Sequence, residues 1–281
     1  MTKLNLGIVA DEISRNFREA VRIGTSLGIR RYEVRFLQTG RAPMCERNEL
    51  MEVDHIRDGE GIEITALSPG LFKHTSRRED FDRELGNVLP RSIEWALRWQ
   101  LPALIIFGFH RAGVTEDIAD TVLDDRIPPE IPQWLAKAGE MAQADGLKLL
   151  IEAEPICWAD TGTSTLRMIR ESQSEAIGIN YDPANIAWKM RADPIDELES
   201  IAPLIDNVHV KDLIEAPRGS GIPVWAVPGE GMLDYVAHFA ALKKWGYEGP
   251  VSLEPHLEAS PQTIAACKEA VESIWAQAEK E

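Results

Sequence analysis

Leu147-Lys148-Leu149-Leu150-Ile151-Glu152-Ala153-Glu154-Pro155 is the stretch on which the fold of this chain turns. Its apolar part has the length of one buried strand and is too short for a helix. Two acidic residues and a proline end it. On its N-terminal side Gly146 follows an Ala/Gln-rich helical segment, the place for a left-handed helix cap. Outward from here the alternation repeats along the chain. Apolar runs occur at Leu4–Val9, Tyr32–Phe36, Ile62–Leu67, Ala103–Phe109, Leu147–Ile151, Ala176–Tyr181, Asn207–Val210 and Pro250–Leu253, each followed by a longer amphipathic segment. Short buried runs alternating with helices predict a parallel sheet covered on both faces.

Helix signals fill the intervals. Asn16 followed by Glu19 predicts a capping box on the first helix. Asp193-Pro194 and Ser260-Pro261 each set a capping side chain before a proline. In the last helix Ile264, Cys267, Val271, Ile274 and Trp275 form one apolar stripe. Eight strand–helix units close most simply into an α/β (β/α)8 TIM barrel, a single domain over residues 1–281. A doubly wound open sheet is the alternative, but no GxGxxG follows the first strand. The longest connections, residues 37–60 and 110–129, are expected to be loops over the barrel mouth.

With 46 acidic and 30 basic residues the formal charge is -16, which disfavours nucleic acid and anionic membrane surfaces as partners. Cys45, Cys157 and Cys267 are far apart and form no CxxC pair, so neither a disulfide framework nor a thiolate metal site is suggested. No apolar run has the length of a membrane span, and the first residues read as a strand rather than a signal peptide. The default expectation is a reduced, cytoplasmic compartment.

The chemical signal lies in what terminates the later runs. Ile151-Glu152, Tyr181-Asp182, Val208-His209 and Leu253-Glu254 end or close four consecutive strands with a metal-competent side chain. One acid at a strand end is ordinarily a helix cap or a surface charge. Four in succession converge on one barrel mouth, where three carboxylates and an imidazole repel or compete unless a cation neutralises them. Oxygen donors with one nitrogen suit one divalent metal, manganese first, with magnesium, cobalt and zinc as alternatives. Glu154 lies two residues beyond Glu152 on the same side of the strand, and is a second candidate there.

These motifs resemble the xylose isomerase-like barrel superfamily, which includes sugar isomerases, ketose 3-epimerases, inosose dehydratases and endonuclease IV. The resemblance covers nearly the whole chain. It is carried by Ile151-Glu152-Ala153-Glu154-Pro155, Tyr181-Asp182-Pro183-Ala184-Asn185, Val208-His209-Val210-Lys211-Asp212, Leu253-Glu254-Pro255 and the turn Pro228-Gly229-Glu230-Gly231. It implies that Glu152, Asp182, His209 and Glu254 are the metal ligands and that Glu152 and Glu254 are the acid/base pair. Asn185 departs from the pattern, since many relatives carry histidine there; its amide can bond a hydroxyl but cannot titrate. The arginine that epimerases carry after the seventh strand has Arg218 as its candidate.

The implied substrate is a small sugar or keto-sugar, and the implied reaction is isomerisation or epimerisation. A proton next to a carbonyl would be removed and returned through a metal-held enediolate. Loss of a β-hydroxyl would make the same site a dehydratase. Substrate contacts are assigned to Glu154, Asn185, Lys211, Arg35, His110, Glu230, Trp158 and Trp188. Each has a plainer reading. Lys211 either polarises the carbonyl or pairs with Asp212 or Glu230. Glu33 and Arg35 share one face of strand two and read as substrate contacts or as an ion pair inside the barrel. His110 and His256 read as structural or catalytic. Trp158 and Trp188 either stack on a sugar ring or serve core and subunit contacts, and Phe72-Lys73 is a weaker pair of the same kind. The exposed aromatics and the family's habits are compatible with a homo-oligomer.

Two rivals stand outside this class. An endonuclease IV-like phosphodiesterase needs many more histidines than His55, His74, His110, His209, His238 and His256. A non-catalytic partner subunit has no need of two paired glutamates.

Overall fold

Eight short strands close on themselves because each is hydrogen-bonded in parallel to two neighbours, which leaves no free edge. In the computed structural model, which describes residues 3–122, 126–214, 221 and 223–278, they are β1 (Leu6–Val9), β2 (Arg31–Val34), β3 (Glu63–Leu67), β4 (Ala103–Phe107), β5 (Lys148–Glu152), β6 (Ile177–Tyr181), β7 (Ile205–Val210) and β8 (Val251–Leu253). The order around the barrel is sequential, and β1 completes the ring by pairing with β8, Leu6 against Val251 and Ile8 against Leu253. The expected (β/α)8 barrel is therefore the observed fold.

The helices α1 (Phe17–Ser26), α2 (Arg47–Glu60), α3 (Leu89–Trp99), α4 (Glu130–Ala144), α5 (Gly162–Ser172), α6 (Pro183–Met190), α7 (Ile195–Ile201), α8 (Tyr235–Lys244) and α9 (Pro261–Gln277) form the outer layer. Period two divides each strand between two cores. The outward residues of β2 and β7, Tyr32, Val34, Val208 and Val210, are buried in the apolar layer under the helices. That layer also holds an aromatic cluster in which Phe72 stacks on Phe109 and Phe81 on Trp134. The inward residues Glu33, Asn180, Asn207 and His209 are buried and polar. They are linked to one another: Asn207 Nδ2 donates to Glu33 Oε1 at 2.9 Å and to Asn180 Oδ1 at 2.8 Å. A polar barrel axis costs desolvation, and this network offsets it.

The local signals hold with small changes. Ser260 accepts from the Thr263 N–H at 3.0 Å and opens α9, whose apolar stripe is buried. Gly146 follows α4 with φ of 73°. Asn16 accepts from the Glu19 N–H, but the Glu19 carboxylate takes the Ser14 hydroxyl instead of returning to Asn16, so the capping box is half made. Asp193 bonds the Ile195 N–H although Pro194 occupies the cap position. The expectation of a loop over 37–60 is corrected. A hairpin pairs Phe36–Leu37 with Gly40–Arg41, and α2 fills most of the remainder. No described helix is long and apolar enough to cross a membrane.

Candidate metal centre and active-site cavity

Ligand atoms from Glu152, Asp182, His209 and Glu254 all lie within 4.8 Å of one another, and all four side chains are buried. Barrel geometry explains the meeting. Glu152 is the last residue of β5, Asp182 and Glu254 directly follow β6 and β8, and His209 is the penultimate residue of β7. All point inward by strand alternation.

Each member of the group is oriented by its neighbours. His209 Nε2 lies 2.7 Å from Glu33 Oε2, which leaves Nδ1 facing Glu254 Oε2 at 3.2 Å and Glu152 Oε2 at 3.4 Å. Glu152 accepts from Asn180 Nδ2 at 2.9 Å and from Asn185 Nδ2 at 3.2 Å. Asp182 divides its two oxygens. Oδ1 caps α6 by accepting from the N–H groups of Ala184 and Asn185. Oδ2 is buried without a directed hydrogen bond and has the Lys211 ammonium 2.6 Å away. Helix cap and ligand are thus compatible roles for the same aspartate.

Positive groups hold the cluster together. Lys211 Nζ is 2.7 Å from Glu254 Oε2, and Arg35 binds Glu254 Oε1, Asp11 and Glu12. Burial alone would raise the Glu254 pKa, but Lys211, His209, His256 and Arg35 outweigh it and hold the carboxyl well below the usual range. Glu152 goes the other way: burial, reinforced by Glu254 and Asp182, pushes it up to about 7. Burial disfavours a charged His209, yet Glu33, Glu254 and Glu152 raise its pKa well above the ordinary value. The donor set, an Asp182 oxygen engaged by Lys211 alone and an imidazole nitrogen backed by a carboxylate fit a divalent cation.

Of the cluster, Glu152 and Glu254 line a cavity of about 370 Å3, together with Glu154, Lys211, Arg35, Asn185 and Trp188 among the residues expected from sequence. Five expectations are corrected. Glu230 is exposed and does not line the cavity. Its turn is organised instead by Asp212, which accepts from the N–H groups of Gly229, Gly231, Leu213 and Leu233. Lys211 therefore pairs with neither Asp212 nor Glu230 but with Asp182 and Glu254. Trp158 does not line this cavity, and the Arg111 guanidinium lies 4.4 Å from its ring. His110 bonds the Val114 carbonyl at 3.0 Å and lines an adjoining cavity with His74, Thr115 and Glu116. Glu33 and Arg35 share a face but do not pair, because each has stronger partners. Glu154 is held by Lys73 at 2.8 Å, and both line the central cavity. Arg218 lies outside the described residues.

Sequence patterning passed over Asp11, Glu12, Arg41, Ser68 and Trp225. Asp11 and Glu12 follow β1, so the acid-after-strand rule would have found them. His256, at φ of 53°, turns its N–H and Nδ1 onto Glu12, both at 2.9 Å. Arg41 and Trp225 arrive from hairpins, where no pattern announces them.

Known proteins resemble this chain at three levels. The 3-dehydroshikimate dehydratase of Bacillus anthracis is 26% identical over 140 residues, 42% of this chain and 50% of that protein. The uncharacterized protein YfiH of Bacillus subtilis (strain 168) is 30% identical over 194 residues, 62% of this chain and 60% of that one. The matches thus span about half to three fifths of these curated relatives. The crystal structure of IolI protein with a bound zinc atom superimposes with a TM-score of 0.77 at 17% identity, covering 98% of this chain and 99% of that one, a likeness of fold. The model of the family described as xylose isomerase-like TIM barrel matches residues 21–274. That match runs from within α1 to within α9, and this chain belongs to the xylose isomerase-like TIM barrel family.

Proposed function

We propose that this chain is a divalent-metal-dependent sugar or keto-sugar isomerase or epimerase that moves a proton at the carbon beside a carbonyl. The observation that carries the reading is the convergence of Glu152, Asp182, His209 and Glu254 within 4.8 Å, with Glu152 and Glu254 lining an adjoining cavity. A divalent cation held there, manganese first, supplies Lewis acidity that makes the carbon next to a carbonyl easier to deprotonate.

The chain's own residues do the rest. Glu152 and Glu254 leave strands β5 and β8, with β6 and β7 between them, and so reach a substrate from two sides. One carboxylate takes the proton and the other returns it. Return to the opposite face is epimerisation, and return to the neighbouring carbon is isomerisation. Asn180 and Asn185 fix the Glu152 carboxylate, while Lys211 and Arg35 fix that of Glu254. Trp188 offers an aromatic wall and an indole N–H without an acceptor among the described residues. The compartment that suits three buried free cysteines is a reducing cytoplasm.

The second reading is dehydration by loss of a β-hydroxyl, supported by the likeness to a 3-dehydroshikimate dehydratase. Metal analysis followed by solvent deuterium exchange tests both. About one metal per chain and label at the carbon beside the carbonyl are expected, and the product separates the three reactions. A metal-free protein that exchanges no label on any ketose or keto-sugar, with manganese added, would remove the enzyme reading.

A further inference from the structure

Arg41 is a cation of the cavity that no carboxylate among the described residues meets at ion-pair distance, although Glu152, Asp11 and Glu254 act on it from farther off. It lines the same cavity as Arg35, Lys73 and Lys211. Each of those three faces carboxylates: Arg35 faces Asp11, Glu12 and Glu254, Lys73 faces Glu154, and Lys211 faces Asp182 and Glu254. Arg41 has no carboxylate partner among the described residues. Its Nε donates to the Ser68 carbonyl at 2.9 Å and its Nη2 to the Ser68 hydroxyl at 2.9 Å. No protein acceptor among the described residues meets Nη1.

The guanidinium is nevertheless held in a built seat. The Phe36 ring centroid is 5.0 Å from Cζ and that of Phe107 is 5.7 Å away. Gly70, at φ of +79°, leaves the space, since a Cβ there would fall 2.8 Å from Arg41 Nε. Burial, with Arg35 adding to it and Glu152, Asp11 and Glu254 opposing it, lowers the Arg41 pKa to about 10, which still leaves it charged at neutral pH. Glu116 is the remaining acid on the lining without an ion pair, and it is exposed at the mouth, where water screens it.

A half-buried, immobilised guanidinium with free donors recognises a planar oxyanion. We propose that the substrate carries a carboxylate and that Arg41 binds it, so that the cavity selects a keto-acid sugar over its neutral counterpart. The acidic surface of the chain does not oppose this, because a local cation in a cleft dominates the field there. The inference rests on the proposed proton-transfer reading for the remainder of the substrate, and on Arg41 alone for the carboxylate.

The test compares ligands that differ in one group. D-Tagatose and D-fructose are set against D-tagaturonate and D-fructuronate, in which a terminal CH2OH is a carboxylate, and against D-tagatose 6-phosphate and D-fructose 6-phosphate. Binding to the full chain, with and without manganese, is followed by quenching of the cavity tryptophans Trp188 and Trp225. The expected result is carboxylate binding about 10- to 100-fold tighter than the neutral ketose, the scale of one charged hydrogen-bonded pair. Arg41→Met should abolish the preference without weakening the neutral ketose, and Arg41→Lys should restore part of it. Equal binding of acid and neutral ligands, tighter binding of the phosphates, no binding of either uronate, or equal weakening of all ligands by Arg41→Met would each overturn the proposal. If Arg41→Met does not fold, the wild-type comparison and Arg41→Lys decide. Deuterium exchange in the same samples separates the two readings. An Arg41-dependent preference without exchange removes proton transfer and keeps the carboxylate site. Exchange on neutral ketoses without a preference does the reverse.

Discussion

His209 Nε2 sits 2.7 Å from Glu33 Oε2, across the barrel from strand seven to strand two. This contact fixes which ring nitrogen faces the carboxylates, because Nδ1 is left to point at Glu152 and Glu254. A carboxylate behind a ligating imidazole orients the ring and raises its basicity. Glu33→Gln keeps the volume and loses the charge. Metal affinity should fall by about 10- to 100-fold, measured by competition with a chelator. An unchanged affinity would confine Glu33 to the structural network with Asn207.

Asp182 caps α6 with one oxygen and turns the other towards Lys211 within the acidic cluster. Asp182→Ala should lose both roles, with about 1 kcal/mol lost from the cap and metal content well below one per chain. Asp182→Asn separates them, because asparagine still caps. Full metal stoichiometry in Asp182→Asn would rule the aspartate out as a ligand.

Glu152 and Glu254 are held by different partners, Asn180 and Asn185 for the first, Lys211 and Arg35 for the second. If they are the acid/base pair, Glu152→Gln or Glu254→Gln should slow deuterium exchange by about 100- to 10,000-fold with an unchanged circular dichroism spectrum. Full exchange in either variant would acquit that residue.

Lys211 stands between Asp182 and Glu254, where it compensates two buried carboxylates. Removing one partner of a buried pair leaves an uncompensated charge, a cost of about 3–5 kcal/mol. Lys211→Met should therefore destabilise the metal-free protein by that order in urea unfolding. Manganese should recover much of the loss by binding the folded state. A loss of the same size with and without metal would place the lysine's role elsewhere.

Asp193 joins α7 to α8. It accepts from the Ile195 and Asp234 N–H groups and lies 2.7 Å from His238 Nε2. Burial alone would raise its pKa, but the His238 contact and the two backbone donors outweigh that and lower it from the ordinary 3.8. A carboxyl that is more acidic in the folded state contributes stability that is complete above its unfolded pKa and disappears as pH falls through the folded one. The melting temperature should therefore drop more steeply below about pH 4 in the wild type than in Asp193→Asn. Parallel curves would dismiss this linkage.

What could be read from the chain alone was whatever depends on near neighbours in sequence. Alternating apolar runs and helical stripes are set by backbone hydrogen bonding and side-chain period, so the eight strands, the Ser260 cap and the barrel were legible. The acids that end β5, β6 and β8, and His209 within β7, were legible for the same reason, because a polar residue closing an apolar run is a local event. Arg41 and Ser68 were not, since their importance depends on which strand ends meet around the mouth. Nor could Glu33 be assigned. Period two places it on the face of Arg35, but only closure of the barrel brings it to His209, 176 residues away. The sequence thus determined which groups are available at the strand ends. The tertiary structure alone decided how their charges are paired, because pairing over a few ångströms follows from strand register and ring closure, which no local pattern encodes.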